Sequence, residues 1–158
     1  MKKRLFFCSG IITLSLFMLA EGNDLLKVEA SVNPGRLSRG QEGKVILKVS
    51  VREGITISPQ PSFRIEFNSS QELVFPKNFF TASDLEIETA EENGREYLDL
   101  EEPIEIPFTV NLEASRGYHV LKGRIKYFAC HLEEGWCLKT HMKFSAPFYT
   151  RRSVVRKR

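Results

Sequence analysis

Alternation of apolar and polar residues at every second position is the feature that most limits what this chain can fold into. Val45, Leu47, Val49 and Val51 share one parity, with Lys48 and Ser50 on the other. The same alternation recurs over 104–112. A period of two is that of a strand with one buried face. No stretch after residue 23 keeps the 3.6-residue helical period for eleven residues, so the sequence predicts an all-β protein.

Turn signals rich in glycine, proline and asparagine divide the chain into short segments. The further candidate strands are 25–32, 62–68, 72–75, 84–89, 95–100, 118–129 and 136–144. Short strands at this spacing predict an immunoglobulin-like β-sandwich of seven to nine antiparallel strands. The acidic run from Asp84 to Glu105 is expected on solvent-facing surfaces and at a sheet edge, where charge discourages aggregation.

The chain of 158 residues is long enough for one folded domain preceded by a targeting segment. Basic residues 2–4 are followed by an uncharged run, Leu5 to Ala20, and by small residues, as in a secretory signal. We expect a signal peptide over 1–22, cleaved near Ala20 to Gly22, a domain over 23–150 and a basic disordered tail over 151–158. The mature protein would be periplasmic or secreted. A retained membrane anchor is the alternative, but the run is shorter than the ~20 residues of a spanning helix.

Charge is distributed unevenly along the chain. Residues 23–150 contain 15 lysines and arginines against 19 aspartates and glutamates, while five basic residues occupy the last eight positions. The formal net charge of +3 therefore comes from the two ends. This predicts a mildly acidic folded body without a basic binding face, and argues against a nucleic-acid partner.

Two cysteines, Cys130 and Cys137, remain once Cys8 leaves with the signal. If 118–129 and 136–144 form a hairpin, the two stand near opposite ends of its loop, at a separation that a disulfide allows. Both fall on the parity that carries charged residues, so their sulfurs are expected on an accessible face. An accessible position is what a reactive thiol needs.

Spacing alone leaves two other interpretations of the cysteines. A structural bridge closing eight residues would stabilise the fold by about 2.5 kcal/mol on the chain-entropy model. A metal site using Cys130, His131, Cys137 and His141 is disfavoured, because Cys137 and His141 would lie ~13 Å apart on a strand. We therefore predict no metal and no cofactor. His119 is expected to be a packed or surface histidine, and no hydrolase constellation stands out.

A longer pattern surrounds the cysteines. The segment Gly117 to Leu138, with Tyr-Phe-Ala-Cys followed by Trp-Cys-Leu, resembles the redox hairpin of the amino-terminal domain of DsbD, the bacterial thiol:disulfide interchange protein. Pro34-Gly35-Arg36-Leu37, the segment 51–57 and Phe75-Pro76-Lys77 are similar to that domain's opening strands and central loop. The resemblance covers most of residues 27–148.

The resemblance implies a periplasmic domain with thiol:disulfide interchange or protein-disulfide reductase activity, in a family associated with cytochrome c maturation. It implies that Cys137 exchanges with the partner's sulfur and that Cys130 resolves the mixed disulfide. Tyr127, His131 and Trp136 would form the local environment. Phe79 and Phe80 are candidates to shield the pair, and core packing accounts equally well for either phenylalanine.

The partners that the resemblance implies are exported thioredoxin-like or other thiol proteins, and a separate membrane thiol reductant would supply electrons. Six residues separate the cysteines, a longer interval than the resemblance implies. His131 and the cations of 139–143 favour a thiolate while Glu133 and Glu134 oppose it, so which cysteine ionises first stays open. The alternative function is a secreted β-sandwich binding module whose hairpin disulfide is purely structural.

Overall fold

The computed structural model describes residues 24–60 and 63–151, and these form strands and turns without a helix. None of these residues provides a helix long and apolar enough to cross a membrane. The expected signal peptide over 1–22 and nearly all of the expected tail lie outside the described residues. The strands are β1 (Leu26–Asn33), β2 (Arg36–Ser38), β3 (Glu42–Val51), β4 (Ile55–Ile57), β5 (Arg64–Phe67), β6 (Leu73–Val74), β7 (Phe79–Thr81), β8 (Thr89–Glu92), β9 (Arg95–Leu98), β10 (Ile104–Val110), β11 (Gly117–His131) and β12 (Cys137–Arg151).

Two sheets and one separate hairpin make up the fold. A four-stranded sheet has the order β1-β3-β10-β6, and a six-stranded sheet has the order β2-β12-β11-β5-β7, with β4 also paired to β11. Strands β8 and β9 form the hairpin. If β1, β3 and β10 are strands A, B and E, then β5, β11 and β12 are C, F and G, which is the immunoglobulin arrangement. The predicted all-β, immunoglobulin-like sandwich is confirmed.

The strand count and one pairing differ from the sequence-based prediction. Strands β2, β4, β6 and β7 contain only two or three residues, too few to show an alternation. The β2–β12 pair is parallel, because the chain crosses from one sheet to the other at the cis Asn33–Pro34 peptide and then runs beside the last strand. All other strand pairs are antiparallel, as predicted.

The candidate strand over 84–89 is wrong, because a turn occupies residues 82–86 and β8 begins only at Thr89. Asp84 is the cause. Its carboxylate accepts hydrogen bonds from Lys77 and from the backbone and hydroxyl of Thr81, which fold the chain back locally. The Lys77 hydrogen bond, followed by those from Thr81, lowers the pKa of Asp84 to about 2.

The core lies between the two sheets and follows from the alternation. Val45 and Leu47 of β3, Ile106 of β10 and Ile125 of β11 are fully enclosed. The two long strands β11 and β12 pair over fourteen positions, from Gly117 opposite Thr150 to Cys130 opposite Cys137. One end of this ribbon carries the two cysteines.

Candidate functional site

The β11–β12 register sets Cys130 directly opposite Cys137, with α-carbons 4.1 Å apart and the two sulfurs bonded. The next pair outward, His131 and Trp136, carries a backbone hydrogen bond of 2.9 Å. Because hydrogen-bonded and non-hydrogen-bonded pairs alternate in an antiparallel ladder, the cysteines occupy a non-hydrogen-bonded pair, where side chains approach most closely. The predicted geometry of the cysteine pair is confirmed.

The disulfide lies on the outer face of the six-stranded sheet, as the parity predicted. Lys126 and Phe128 precede Cys130 on that face, and Lys139 follows Cys137. Cys137 is exposed, whereas Cys130 is partly buried. Thr56 of β4 pairs with Cys130 on its other side.

Cys137 itself lies at an open sheet edge within the described part of the chain. Strand β12 pairs with β2 only over Tyr149–Arg151, far from the cysteines. An attacking thiolate therefore has freer access to the sulfur of Cys137 than to that of Cys130.

The loop beyond the disulfide has its own hydrogen bonds. The backbone N–H of Glu134 donates to His131 Nδ1 at 3.1 Å, and Trp136 Nε1–H donates to the Glu134 carboxylate at 2.6 Å. The His131 and Trp136 rings lie 5.5 Å apart, and Gly135 has a φ of +71°, which favours glycine. These contacts hold the loop without using the sulfurs.

Tyr127 lies on the opposite face of β11 from the sulfurs. It is 2 % exposed and belongs to the core. Burial, and secondly the charge of Asp24, raises the pKa of its hydroxyl. Tyr127 therefore lies in the core beneath the hairpin, on the face of β11 away from the disulfide.

The two phenylalanines expected to shield the disulfide lie elsewhere on the sheet. Phe80 is buried and packs near Phe67 and Phe75, with ring centroids 6.2 and 6.5 Å away. Phe79 is on the outer face, under the Arg64 guanidinium at 4.1 Å. Phe79 pairs with Glu66 of β5, and Glu66 pairs with Arg124 of β11. Arg124 is six residues before Cys130, a distance of ~20 Å along β11. In this conformation neither ring covers the sulfurs.

The six-stranded sheet carries a concentration of positive charge that the sequence-based interpretation missed. Its strands contain one acidic residue, Glu66, and eight lysines and arginines, all on the outer face. We call this set the cationic face: Arg36, Arg64, Lys122, Arg124, Lys126, Lys139, Lys143 and Arg151. The expectation of no basic face is wrong, because net charge reports a sum while strand parity decides which charges share a surface.

Glu66 is surrounded by three of these cations. Its carboxylate lies 2.9 Å from Lys126, 2.8 Å from Arg124 and 3.6 Å from Arg64. The Lys126 hydrogen bond is the largest cause of its lowered pKa, and Arg124 adds to it against a partial desolvation. A single carboxylate therefore offsets only part of the positive charge.

A second polar cluster surrounds His119 at the opposite end of the ribbon. His119 Nε2 lies 2.9 Å from Thr150 Oγ1, and its Nδ1 lies 3.7 Å from Glu72. The spatial arrangement of a hydroxyl, a histidine and a carboxylate resembles a hydrolase triad. However, Thr150 is 1 % exposed and its hydroxyl donates a hydrogen bond to the Ser115 carbonyl. A sealed hydroxyl that already donates its proton has no access to substrate, so the cluster is structural.

The donor set of the metal-site alternative is not free to bind an ion. Cys130 and Cys137 are bonded to each other, and the described residues contain no group of three or more His, Cys, Asp or Glu side chains arranged to hold a metal.

Comparisons with known proteins yield distant structural similarities. No protein-family profile and no curated protein matches the chain. The solved structures that it resembles include BcpA, the major pilin subunit of Bacillus cereus, with a TM-score of 0.40 at 10% identity over 79% of this chain and 39% of BcpA. Murine CRIg gives 0.31 at 6% identity, covering 80% and 98% of the two chains. The CooA pilin subunit of enterotoxigenic Escherichia coli gives 0.26 at 6% identity, covering 81% and 99%. At these scores the immunoglobulin-like assignment depends on the strand order of the chain itself.

Proposed function

We propose that this chain is an exported thiol:disulfide interchange domain in which Cys130 and Cys137 cycle between disulfide and dithiol. The observation that supports it best is the position of Cys137, exposed, at an open sheet edge, and bonded to its neighbour on the outer face. A disulfide that serves only to hold the fold has no need of such access. The resemblance to the DsbD amino-terminal domain and the signal-like segment 1–22 support the same proposal.

The exchange proceeds in two steps with balanced electrons. In the dithiol form, the Cys137 thiolate attacks one sulfur of a partner disulfide, forming a mixed disulfide and releasing the partner's other sulfur as a thiolate. The Cys130 thiolate then attacks Cys137, closes the internal disulfide and releases the partner's first sulfur. Two electrons pass to the partner. A thioredoxin-like dithiol protein restores the pair by the reverse sequence.

Local structure supports the assignment of the two roles. Cys137 is the more exposed residue, and among the described residues it has no strand on the side away from Cys130, whereas Cys130 is flanked on its second side by Thr56 of β4. The attacked sulfur must be reached in line with the S–S bond by a bulky partner, so Cys137 fits that role. Cys130 stays within bonding distance and resolves the intermediate.

The redox potential separates this proposal from a purely structural bridge. We expect the purified domain to equilibrate with glutathione buffers at a potential less negative than about −300 mV, as measured by thiol alkylation and mass spectrometry. A more negative potential, together with failure to exchange with a thioredoxin-like protein, would assign the disulfide to the alternative, a binding module with a fixed hairpin.

Trapping tests the two cysteine roles. The variant Cys130→Ser keeps the attacking sulfur without the resolving one. It should therefore accumulate a covalent complex on non-reducing gels with a thioredoxin-like protein that keeps only its exposed cysteine, activated as a mixed disulfide with a small thiol that leaves on attack. The matched variant Cys137→Ser should accumulate far less. Equal trapping by both variants would refute the assignment of Cys137 as the attacking residue.

A further inference from the structure

The cationic face and the disulfide belong to one continuous surface. On the outer face of the β11–β12 ribbon the cysteine pair is followed by successive rows of opposed residues, two positions apart and therefore ~7 Å apart. Those rows are Phe128–Lys139, Lys126–His141, Arg124–Lys143 and Lys122–Ser145. Positive charge thus begins ~7 Å from the disulfide and continues to ~26 Å from it.

The protein neutralises only part of this charge internally, through Glu66. Among the described residues, no carboxylate lies within ion-pair distance of Lys122, Lys139 or Lys143. Arg124 and Lys143 are directly opposed across the two strands, an arrangement in which like charges repel. The surface therefore retains a positive potential that an acidic partner would relieve.

We infer that the cationic face is the docking surface for the thiol protein that exchanges with Cys137, and that this partner carries a strip of acidic side chains beside its reactive cysteine. The inference rests on the proposed function and adds the chemistry of the partner. Complementary charge raises the rate of encounter and fixes orientation. A protein is favoured over a nucleic acid because the same surface presents a disulfide, which only a thiol can use.

The loop beyond the disulfide gives the docking a direction. Glu133 and Glu134 are exposed there, on the side away from the cations. They would repel an acidic strip that extended past the loop. The strip must therefore run from the partner's cysteine along the ribbon toward Lys122.

The test measures exchange of the oxidised domain with three thiol probes of equal length. One is a peptide with a cysteine followed by a short spacer and four glutamates on alternate positions, one has lysines there, and one has serines. Dithiothreitol, which carries no charge other than that of its reacting thiolate, is the fourth probe, and all rates are referred to the thiolate concentration. Each is measured at about 0.01 M salt, where charges act over about 30 Å, and at about 1 M, where they act over about 3 Å.

We expect the acidic peptide to react about tenfold or more faster than the serine peptide at low salt, and the lysine peptide more slowly. The difference should vanish at high salt. The double variant K122E/K143E should remove it and should leave the dithiothreitol rate at about 1 M salt unchanged, because both positions lie ~20 Å or more from the sulfurs and charges then act over only about 3 Å. The control K27E/K48E makes the same charge change on the exposed side of the four-stranded sheet and should leave the preference intact.

Failure of the inference and of the proposed function are distinguishable. If dithiothreitol reacts and the three peptides react at equal rates, the acidic docking surface is refuted and the exchange function stands. If no probe reacts, the exchange function fails, and binding of a peptide with serine in place of cysteine then decides the surface. If the domain binds the acidic peptide more tightly than the basic one, the cationic face is still a surface for an acidic partner. Equal binding of the two peptides overturns that inference. Tighter binding of a single-stranded oligonucleotide of equal charge would overturn it in favour of a nucleic acid.

Discussion

Glu66 is the residue on which the charges of the six-stranded sheet converge. Its pKa is lowered from 4.5, chiefly by the Lys126 hydrogen bond, so the folded state holds the carboxylate charged to lower pH than the unfolded state does. A lowered pKa contributes stability above the unfolded value and loses it as pH falls toward the folded value. Below pH 4.5 the native protein should therefore lose this contribution.

The variant Glu66→Gln tests that linkage. At pH 7 it should be less stable by about 1 kcal/mol, since the ion pairs are partly exposed, and the difference from wild type should shrink as pH falls below about 4.5. Urea unfolding at several pH values measures it. A difference that is constant with pH would contradict the linkage. The same variant removes the one acid of the cationic face, so it should increase the preference for the acidic peptide.

Some residue positions were predictable from sequence and others were not. The outward parity of Cys130 and Cys137 could be read directly, because both belong to long alternating segments. The position of Phe80 could not be predicted, because its strand contains only three residues. That strand pairs with β5, which lies far along the sheet from the cysteines. A shielding role implied by a resemblance depends on where the side chain lies in the folded protein, and the sequence of a short strand does not reveal that position.

At the scale of elements, two predicted strand boundaries were wrong where a side chain bonded to the backbone, at Asp84 and at Asn111. Alternation placed Leu112 in the same strand as Ile104, but β10 ends at Val110 and Leu112 is 73% exposed. Asn111 ends the strand by accepting from the Glu113 N–H and donating to the Gln71 carbonyl. Such local hydrogen bonds compete with those of the sheet, and they do not change the two-residue alternation of apolar and polar residues.

The β11–β5 pairing depends on a glycine at one position. A β-carbon on Gly123 would lie 2.7 Å from the Glu66 carbonyl oxygen and 2.5 Å from the Phe144 ring. The variant Gly123→Ala should therefore lower the free energy of unfolding by about 1–3 kcal/mol, because a backbone atom cannot easily move aside.

Chemical denaturation of a matched pair of variants measures this effect. A β-carbon on Gly35 would approach only the Val32 carbonyl oxygen, at 3.8 Å, so Gly35→Ala should change stability by less than about 0.5 kcal/mol. Equal costs at both sites would show that strand pairing at Gly123 tolerates the added methyl group.

For the whole molecule, composition and alternation sufficed for the sandwich, but the distribution of charge required the topology. The β8–β9 hairpin holds exposed Glu91, Glu92 and Glu96, while the six-stranded sheet holds one acid. The expected acidic decoration of solvent-facing surfaces is confirmed for these residues. What the sequence did not reveal is that eight cations and only one acid share the outer face of the six-stranded sheet, because strands distant along the chain assemble into it.

The sandwich should stay folded without the disulfide, although with lower stability. The buried core includes Leu26, Leu47, Ile106 and Ile125 but neither cysteine, and the hairpin loop keeps its own hydrogen bonds. The double variant C130S/C137S should therefore stay folded and lose about 2.5 kcal/mol, the entropy of a short closed loop. Urea unfolding should show a lower midpoint with an unchanged slope, because the same surface is exposed on unfolding. A broad transition, or a much larger loss, would mean that the disulfide organises the core, and a protein that must open this bond at every turnover would then unfold in its reduced form.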